Sequence, residues 1–240
     1  MNKNKKAAVV LFSGGVDSTT CLAIAIKKYG VENVLALSLS YGQKHDKEIE
    51  CAKAVVKHYG VDHITQDLSQ IMQFSNCSLL THSTQKIEHG SYDEQMKKHG
   101  EGPVQTYVPF RNGLMISCAS AIALSFNANV IYYGAHSDDA AGSAYPDCSP
   151  YFWNAMNMAI YEGSGKQLRL EAPLLHMNKS QVVAKGLELD APYQLTWSCY
   201  EGREKACGTC GTCLDRIKAF KENNTQDLIP YEISITWNVK

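Results

Sequence analysis

Three groups of residues have types and spacings that do chemistry. The first is Ser13-Gly14-Gly15, between the apolar run 7–12 and a helix-like segment opening on Asp17 and Ser18. Small residues there let backbone N–H groups reach phosphate oxygens, and a helix N-terminus adds partial positive charge. Neither G-x-x-x-x-G-K-[ST] nor G-x-G-x-x-G is present, so neither common nucleotide fingerprint accounts for the loop. The second group is "SCYEGREKACGTCGTC", with Cys199, Cys207, Cys210 and Cys213. Two C-x-x-C steps present paired thiolates and the longer gap returns a fourth, a set that suits tetrahedral zinc. Four cysteine ligands close the ion, which makes such a site structural; an iron–sulfur cluster is the alternative that four thiolates also suit. The third group is "GAHSDDAAGSAYPDC", which follows a strand-like run, where open parallel sheets hold their ligands.

These groups need a scaffold, and the hydrophobic pattern supplies one. "AAVVLF" (7–12) is an unbroken apolar run, as expected of a strand buried on both faces. Strands are also expected at 33–42, 63–68 and 129–136, and helices at 17–29, 46–60, 111–126 and 178–188, with Gly30 and Gly60 as stops. Residues 111–126 carry no charge after Arg111, which predicts a deeply buried helix. Alternation of this kind predicts an α/β fold: a parallel sheet with helices on both faces. The expected division is 1–190 for the α/β domain and 191–240 for a small zinc module with its tail. Two stretches break the alternation. Residues 75–105 are polar and predict a solvated insertion, with a substrate lid as the alternative. In the tail, Tyr231, Ile233, Ile235 and Trp237 alternate, which predicts an edge strand, either within the chain or across a subunit interface.

Composition bounds the function. The 240 residues are 45% hydrophobic and 20% charged, a globular balance. Lys plus Arg number 23 against 24 for Asp plus Glu, so the basic excess that grips long nucleic acids is missing. The N-terminal lysines precede an apolar run too short for a secretory signal, and no segment is long enough to span a bilayer. The expectation is a cytoplasmic protein without nucleic-acid or membrane partners, whose crowded cysteines serve a metal rather than disulfides.

"SGGVDS" resembles the pyrophosphate loop of the N-type ATP pyrophosphatases. Together with C-x7-C-x2-C-x2-C, "TWSCY", "AYPDC" and "VPFRN", it makes the chain similar, over about residues 7–220, to the 7-cyano-7-deazaguanine synthases of queuosine biosynthesis. In that family a glycine often stands where this chain has Phe110. The resemblance implies an adenine nucleotide alpha hydrolase-like fold, structural zinc, ATP with magnesium, a homodimer, and a ligase forming C–N bonds. It implies conversion of 7-carboxy-7-deazaguanine and free ammonia to the nitrile through adenylated acid and amide, since no glutaminase domain fits this length. A tRNA thiolase of the same superfamily and a non-catalytic nucleotide-binding zinc module are the alternatives.

By the same resemblance, ATP lies along Leu11, Phe12, Ser13, Gly14, Gly15, Val16, Asp17, Ser18, Thr19, Thr20 and Cys21. Asp17 positions magnesium or caps its helix. Arg111 and Lys179 neutralise phosphate, although an ion pair in the core or an exposed helix turn would also use them. Asp138, Tyr145 and Asp147 contact the substrate, with Asp147 reading the N–H edge of a guanine-like base and Tyr145 stacking on it. Asp138 and Asp139 are alternatively magnesium ligands or caps, and His136 and His176 read as structural.

Overall fold

The computed structural model describes residues 5–100 and 102–239. Strands β1 (Ala8–Leu11), β2 (Val34–Ser40), β3 (Asp62–Asp67), β4 (Val130–Tyr132) and β5 (Arg169–Glu171) form one sheet in the order β3-β2-β1-β4-β5. Every pairing is parallel, with Val9 of β1 beside Leu35 of β2 and Ile131 of β4. Nine helices are described: α1 (Val16–Tyr29), α2 (Lys47–Tyr59), α3 (Ser69–Met72), α4 (Tyr92–His99), α5 (Arg111–Ser125), α6 (Ser137–Ala140), α7 (Pro150–Gly163), α8 (Lys179–Glu188) and α9 (Gly211–Glu222). None is long and apolar enough to cross a membrane.

The unbroken apolar strands follow from cover on both faces. Because successive side chains point to opposite sides, Ala8, Val10, Val34 and Ala36 enter a core shared with α1, α2, α8 and α9. Val9, Leu35, Leu37 and Ile131 enter the opposite core with α5 and α7. The chain order reverses at β1, whose neighbours β2 and β4 are reached by crossovers in opposite directions. Ligands of such sheets sit outside the carboxyl ends at that point.

Four expectations need correction. Helix α5 buries only Gly113, Ile116, Ala119 and Ala123, and Leu124 on it is exposed. Helix α7 and strand β5 went unforeseen, although Ser149 caps α7 by accepting the Phe152 N–H and Pro150 opens it, both ordinary start signals. Residues 75–105 are more than a solvated excursion. Cys77, Leu79 and Leu80 are buried, α4 starts in a Ser91–Glu94 capping box, and the Gly90 N–H donates to the Thr209 carbonyl. The tail forms no strand among its described residues. Tyr231 makes a single bridge to Ala206, and Trp237 packs on the first core.

Candidate active site

The loop between β1 and α1 is shaped by its glycines and serines. Gly14 has φ +85°, and a Cβ there would lie 2.5 Å from the Glu48 carbonyl oxygen and 2.6 Å from the Ala52 nitrogen, both backbone of α2. Only glycine meets both demands. The Ser13 N–H donates to Ser18 Oγ at 3.2 Å, and that hydroxyl donates to the Gly15 carbonyl at 3.2 Å. Gly15 is the N-cap of α1 and no side chain caps the helix, so its first-turn N–H groups stay open to an anion.

The loop borders a cavity of about 250 Å³ at the sheet's carboxyl ends. Of the stretch expected to hold ATP, Leu11, Phe12, Ser13, Gly15, Asp17 and Ser18 line it. Val16, Thr19, Thr20 and Cys21 do not: all four are fully buried, and Thr20 donates to the Val16 carbonyl. Gly14 is turned under α2 instead.

Asp17 and Lys179 meet in this cavity from opposite ends of the chain. Lys179 Nζ lies 2.7 Å from each Asp17 carboxylate oxygen. A reciprocal cap between Asn178 and Gln181 fixes the start of α8 and so aims Lys179. Burial pushes the Asp17 carboxyl up, but Lys179 and then His136 outweigh it and hold the group below its usual value. His136 completes the array: its Nε2 is 3.3 Å from Asp139 Oδ2, 3.5 Å from Lys179 Nζ and 3.7 Å from Asp17 Oδ1. Asp17 is therefore no helix cap, and His136 is no isolated core residue.

Arg111, at the start of α5, lines the cavity with its guanidinium 5.2 Å above the Tyr41 ring. Among the described residues no carboxylate lies within ion-pair distance of it. A half-buried guanidinium with no carboxylate beside it is a ready partner for an anion. Tyr145 also lines the cavity.

Asp138 and Asp147 do not line it. Asp138 Oδ2 accepts the Lys179 backbone N–H at 2.8 Å, the capping alternative. Asp147 is 3% exposed; it accepts the Asn112 backbone N–H at 2.9 Å and the Asn112 side-chain amide at 3.2 Å. Its oxygens are turned to the first turn of α5, away from the cavity lining. Phe110, just before that turn, has φ +55°, the left-handed conformation that favours glycine, and its ring packs on Phe152 outside the cavity.

Several lining residues gave no sequence signal: Tyr41, Glu48, Tyr92, Tyr133 and Asp215. Burial raises the Glu48 carboxyl to about 7 against the pull of Arg111. Among the described residues, the buried Tyr133 hydroxyl has no hydrogen-bond partner. Trp197, Ser198, Tyr200 and Thr212 bring the cysteine-rich segment into the cavity wall, and the Trp197 N–H donates to the Gly14 carbonyl at 3.0 Å.

The sulfurs of Cys199, Cys207, Cys210 and Cys213 are buried and all lie within 4.8 Å of one another. The Cys207 and Cys210 N–H groups donate to Cys199 Sγ and Cys207 Sγ, each at 3.3 Å. Four sulfurs this close, with backbone donors beside them, form a set that could hold a metal ion.

Comparison with known proteins agrees with this geometry. Residues 7–224 match the family model "Queuosine biosynthesis protein QueC". A 7-cyano-7-deazaguanine synthase 1 from Colwellia psychrerythraea is 45% identical over 93% of this chain and 98% of its own. A 7-cyano-7-deazaguanine synthase from Caldicellulosiruptor bescii is 43% identical over 96% and 99%. Among solved structures, the NMN synthetase of Francisella tularensis gives a TM-score of 0.49 at 17% identity, over 94% of this chain and 80% of that one, a faint likeness that says nothing of activity. On the strength of the family match and of relatives spanning nearly its whole length, the chain belongs to the QueC family of queuosine biosynthesis proteins.

Proposed function

We propose that the protein converts 7-carboxy-7-deazaguanine and free ammonia to 7-cyano-7-deazaguanine, consuming ATP at each of two adenylations. The enzyme class, a ligase forming C–N bonds, is the family's; the course of the reaction is our reading. A carboxylate repels nucleophiles, so its oxygen first attacks the α-phosphorus of ATP and displaces pyrophosphate. Ammonia attacks the mixed anhydride, AMP leaves, and an amide remains. The amide oxygen takes a second AMP, and loss of that AMP with the nitrogen's protons leaves the nitrile. Both activations need the same α-phosphorus geometry, so one cavity serves both.

The observation that carries this reading is the Asp17–Lys179 pair beside an uncapped helix N-terminus in one cavity. We assign the leaving pyrophosphate to the N–H groups of the loop and first turn, with Ser13 and Ser18 holding the loop in shape. Lys179 neutralises charge on the transferred phosphoryl group, and Asp17 holds its ammonium in place. Arg111, without a carboxylate of its own, takes the acid's carboxylate or the α-phosphate.

Magnesium suits hard carboxylate oxygens such as those of Asp17 and Asp139. An ion there would share the Asp17 oxygens with Lys179, and its chemistry is to neutralise bound phosphates. For the cysteine set we propose structural zinc. Tetrahedral Zn–S bonds place sulfurs about 3.8 Å apart, and Cys207 Sγ and Cys213 Sγ are 3.9 Å apart. In an iron–sulfur cube each thiolate binds a different iron, which spreads the four sulfurs further. We also infer a cytoplasmic homodimer without nucleic-acid partners. Supporting the dimer, α5 and α7 leave Leu124, Tyr151 and Met158 exposed on one side of the sheet.

The test is incubation of metal-loaded protein with ATP, magnesium, ammonium and 7-carboxy-7-deazaguanine, followed by chromatography of all products. The nitrile should appear with AMP at two per nitrile. ATP left intact in the presence of the acid would sink the proposal.

A further inference from the structure

Tyr92, Tyr145 and Tyr200 come from three distant stretches: α4 in the 75–105 insertion, the segment after β4, and the cysteine-rich segment. Their hydroxyls nevertheless meet in the cavity wall. Tyr92 and Tyr200 are 2.7 Å apart, Tyr145 and Tyr200 3.1 Å, and Tyr145 donates to Tyr92 at 3.3 Å. Thr106 Oγ1, also in the wall, lies 2.6 Å from the Tyr145 hydroxyl. Nothing in the adenylation chemistry above uses this group.

A proton count shows what the group offers. Four hydroxyls own four protons, and four contacts join them. With Tyr145 donating to Tyr92, the other contacts close in one sense: Tyr92 donates to Tyr200, Tyr200 to Tyr145, and Thr106 to Tyr145. Every proton is then spent inside the network. Tyr145 accepts twice and is saturated, while Tyr92 and Tyr200 each accept once and keep a lone pair. Burial holds the Tyr92 and Tyr145 phenols above their ordinary range, so they remain neutral. The wall presents acceptors without negative charge, and its protons are already engaged. It therefore matches a flat ligand whose edge carries N–H groups, and it mismatches an edge of bare acceptors. The T-shaped contact of Tyr92 with Tyr145, at 5.7 Å between rings, stiffens the arrangement. Asp147, the acceptor expected from sequence, is bound to Asn112 and leaves this task open.

We propose that the Tyr92–Tyr145–Tyr200 ring is the specificity subsite for the acceptor's heterocycle, with the free lone pairs of Tyr92 and Tyr200 receiving the exocyclic amino group of a guanine-like base. This rests on the reading that such an acid is the substrate. Tyr145 and Thr106 are positioning residues that fix the ring's direction.

The experiment is steady-state kinetics of the full-length wild type, Tyr92→Phe and Tyr200→Phe on two acids, 7-carboxy-7-deazaguanine and its counterpart lacking the 2-amino group. Metal content and circular dichroism confirm that each variant is folded. The wild type should prefer the amino-bearing acid by about tenfold or more in kcat/KM. Each variant should lose about fivefold of that preference through KM for the acid, with KM for ATP unchanged. An equal loss on both acids would mark a purely structural role and overturn the proposal. So would an undiminished preference in the variants, or a wild type that uses both acids alike. A wild type that turns over neither acid would instead overturn the reaction assignment, and the subsite with it.

Discussion

Lys179 bridges both oxygens of Asp17 where neither group has much water to fall back on, so the pair stands or falls together. Lys179→Met should lower kcat/KM for ATP about a hundredfold or more, since it removes the cation to which we assign the transferred group. Breaking the pair should also destabilise the fold by about 3 kcal/mol, measured by urea unfolding. The pH dependence has a definite sign. The folded Asp17 carboxyl lies below its ordinary 3.8, so its contribution is fully present above that value and is lost as pH falls through the depressed one. The Lys179 ammonium, lowered by burial but raised more by Asp17, lies above its ordinary 10.5, so its share is lost only as pH rises through the raised value. Unfolding midpoints measured across pH should show a plateau between these limits, and Asp17→Asn should flatten the acid limb.

Gly14 is held between two elements, with β1 feeding it and the backbone of α2 pressed against it. A methyl group there meets backbone that no rotamer change can move. Gly14→Ala should destabilise the protein by about 2 kcal/mol or more and abolish ATP turnover. Phe110 is the opposite case. It occupies a left-handed position outside the cavity, so Phe110→Gly should leave kcat and KM unchanged, and assays on all three substrates check this. Much of this architecture was legible in sequence. A continuous apolar run marked β1, the stretch 33–42 marked β2, and Ser-Gly-Gly before a helix marked the loop. Strand β5 was not legible, since Arg169-Leu170-Glu171 has one apolar residue and borrows its regularity from β4. The contacts of Asp147 with Asn112 were hidden for a related reason. Nothing local to "YPDC" says that the first turn of α5 lies across its carboxylate. His136 read as structural because two of its three partners, Asp17 and Lys179, stand far from it in the chain. In the tail, Ile233 and Trp237 alternate to cover Gly208 and the first core rather than to extend a sheet.

At the scale of the molecule, the exposed apolar side of α5 and α7 predicts association. Light scattering should give twice the chain mass, and Met158→Glu with Leu124→Glu should give a single chain mass with the fold retained. The cysteine site reaches further, because its segment carries Trp197, Ser198, Tyr200 and Thr212 into the cavity wall. Stripping the metal should make four buried thiols reactive and silence ATP turnover together. Thiol titration against residual activity checks that the two change in step. The bond from the Trp197 N–H to the Gly14 carbonyl has a consequence for synthesis of the chain. The Ser13-Gly14-Gly15 loop is translated well before the cysteine-rich segment whose Trp197 closes over it. A chain stopped between the two thus carries the loop without part of its cavity wall. On the proposed function, the order of synthesis keeps ATP from being spent before the parts of the site meet.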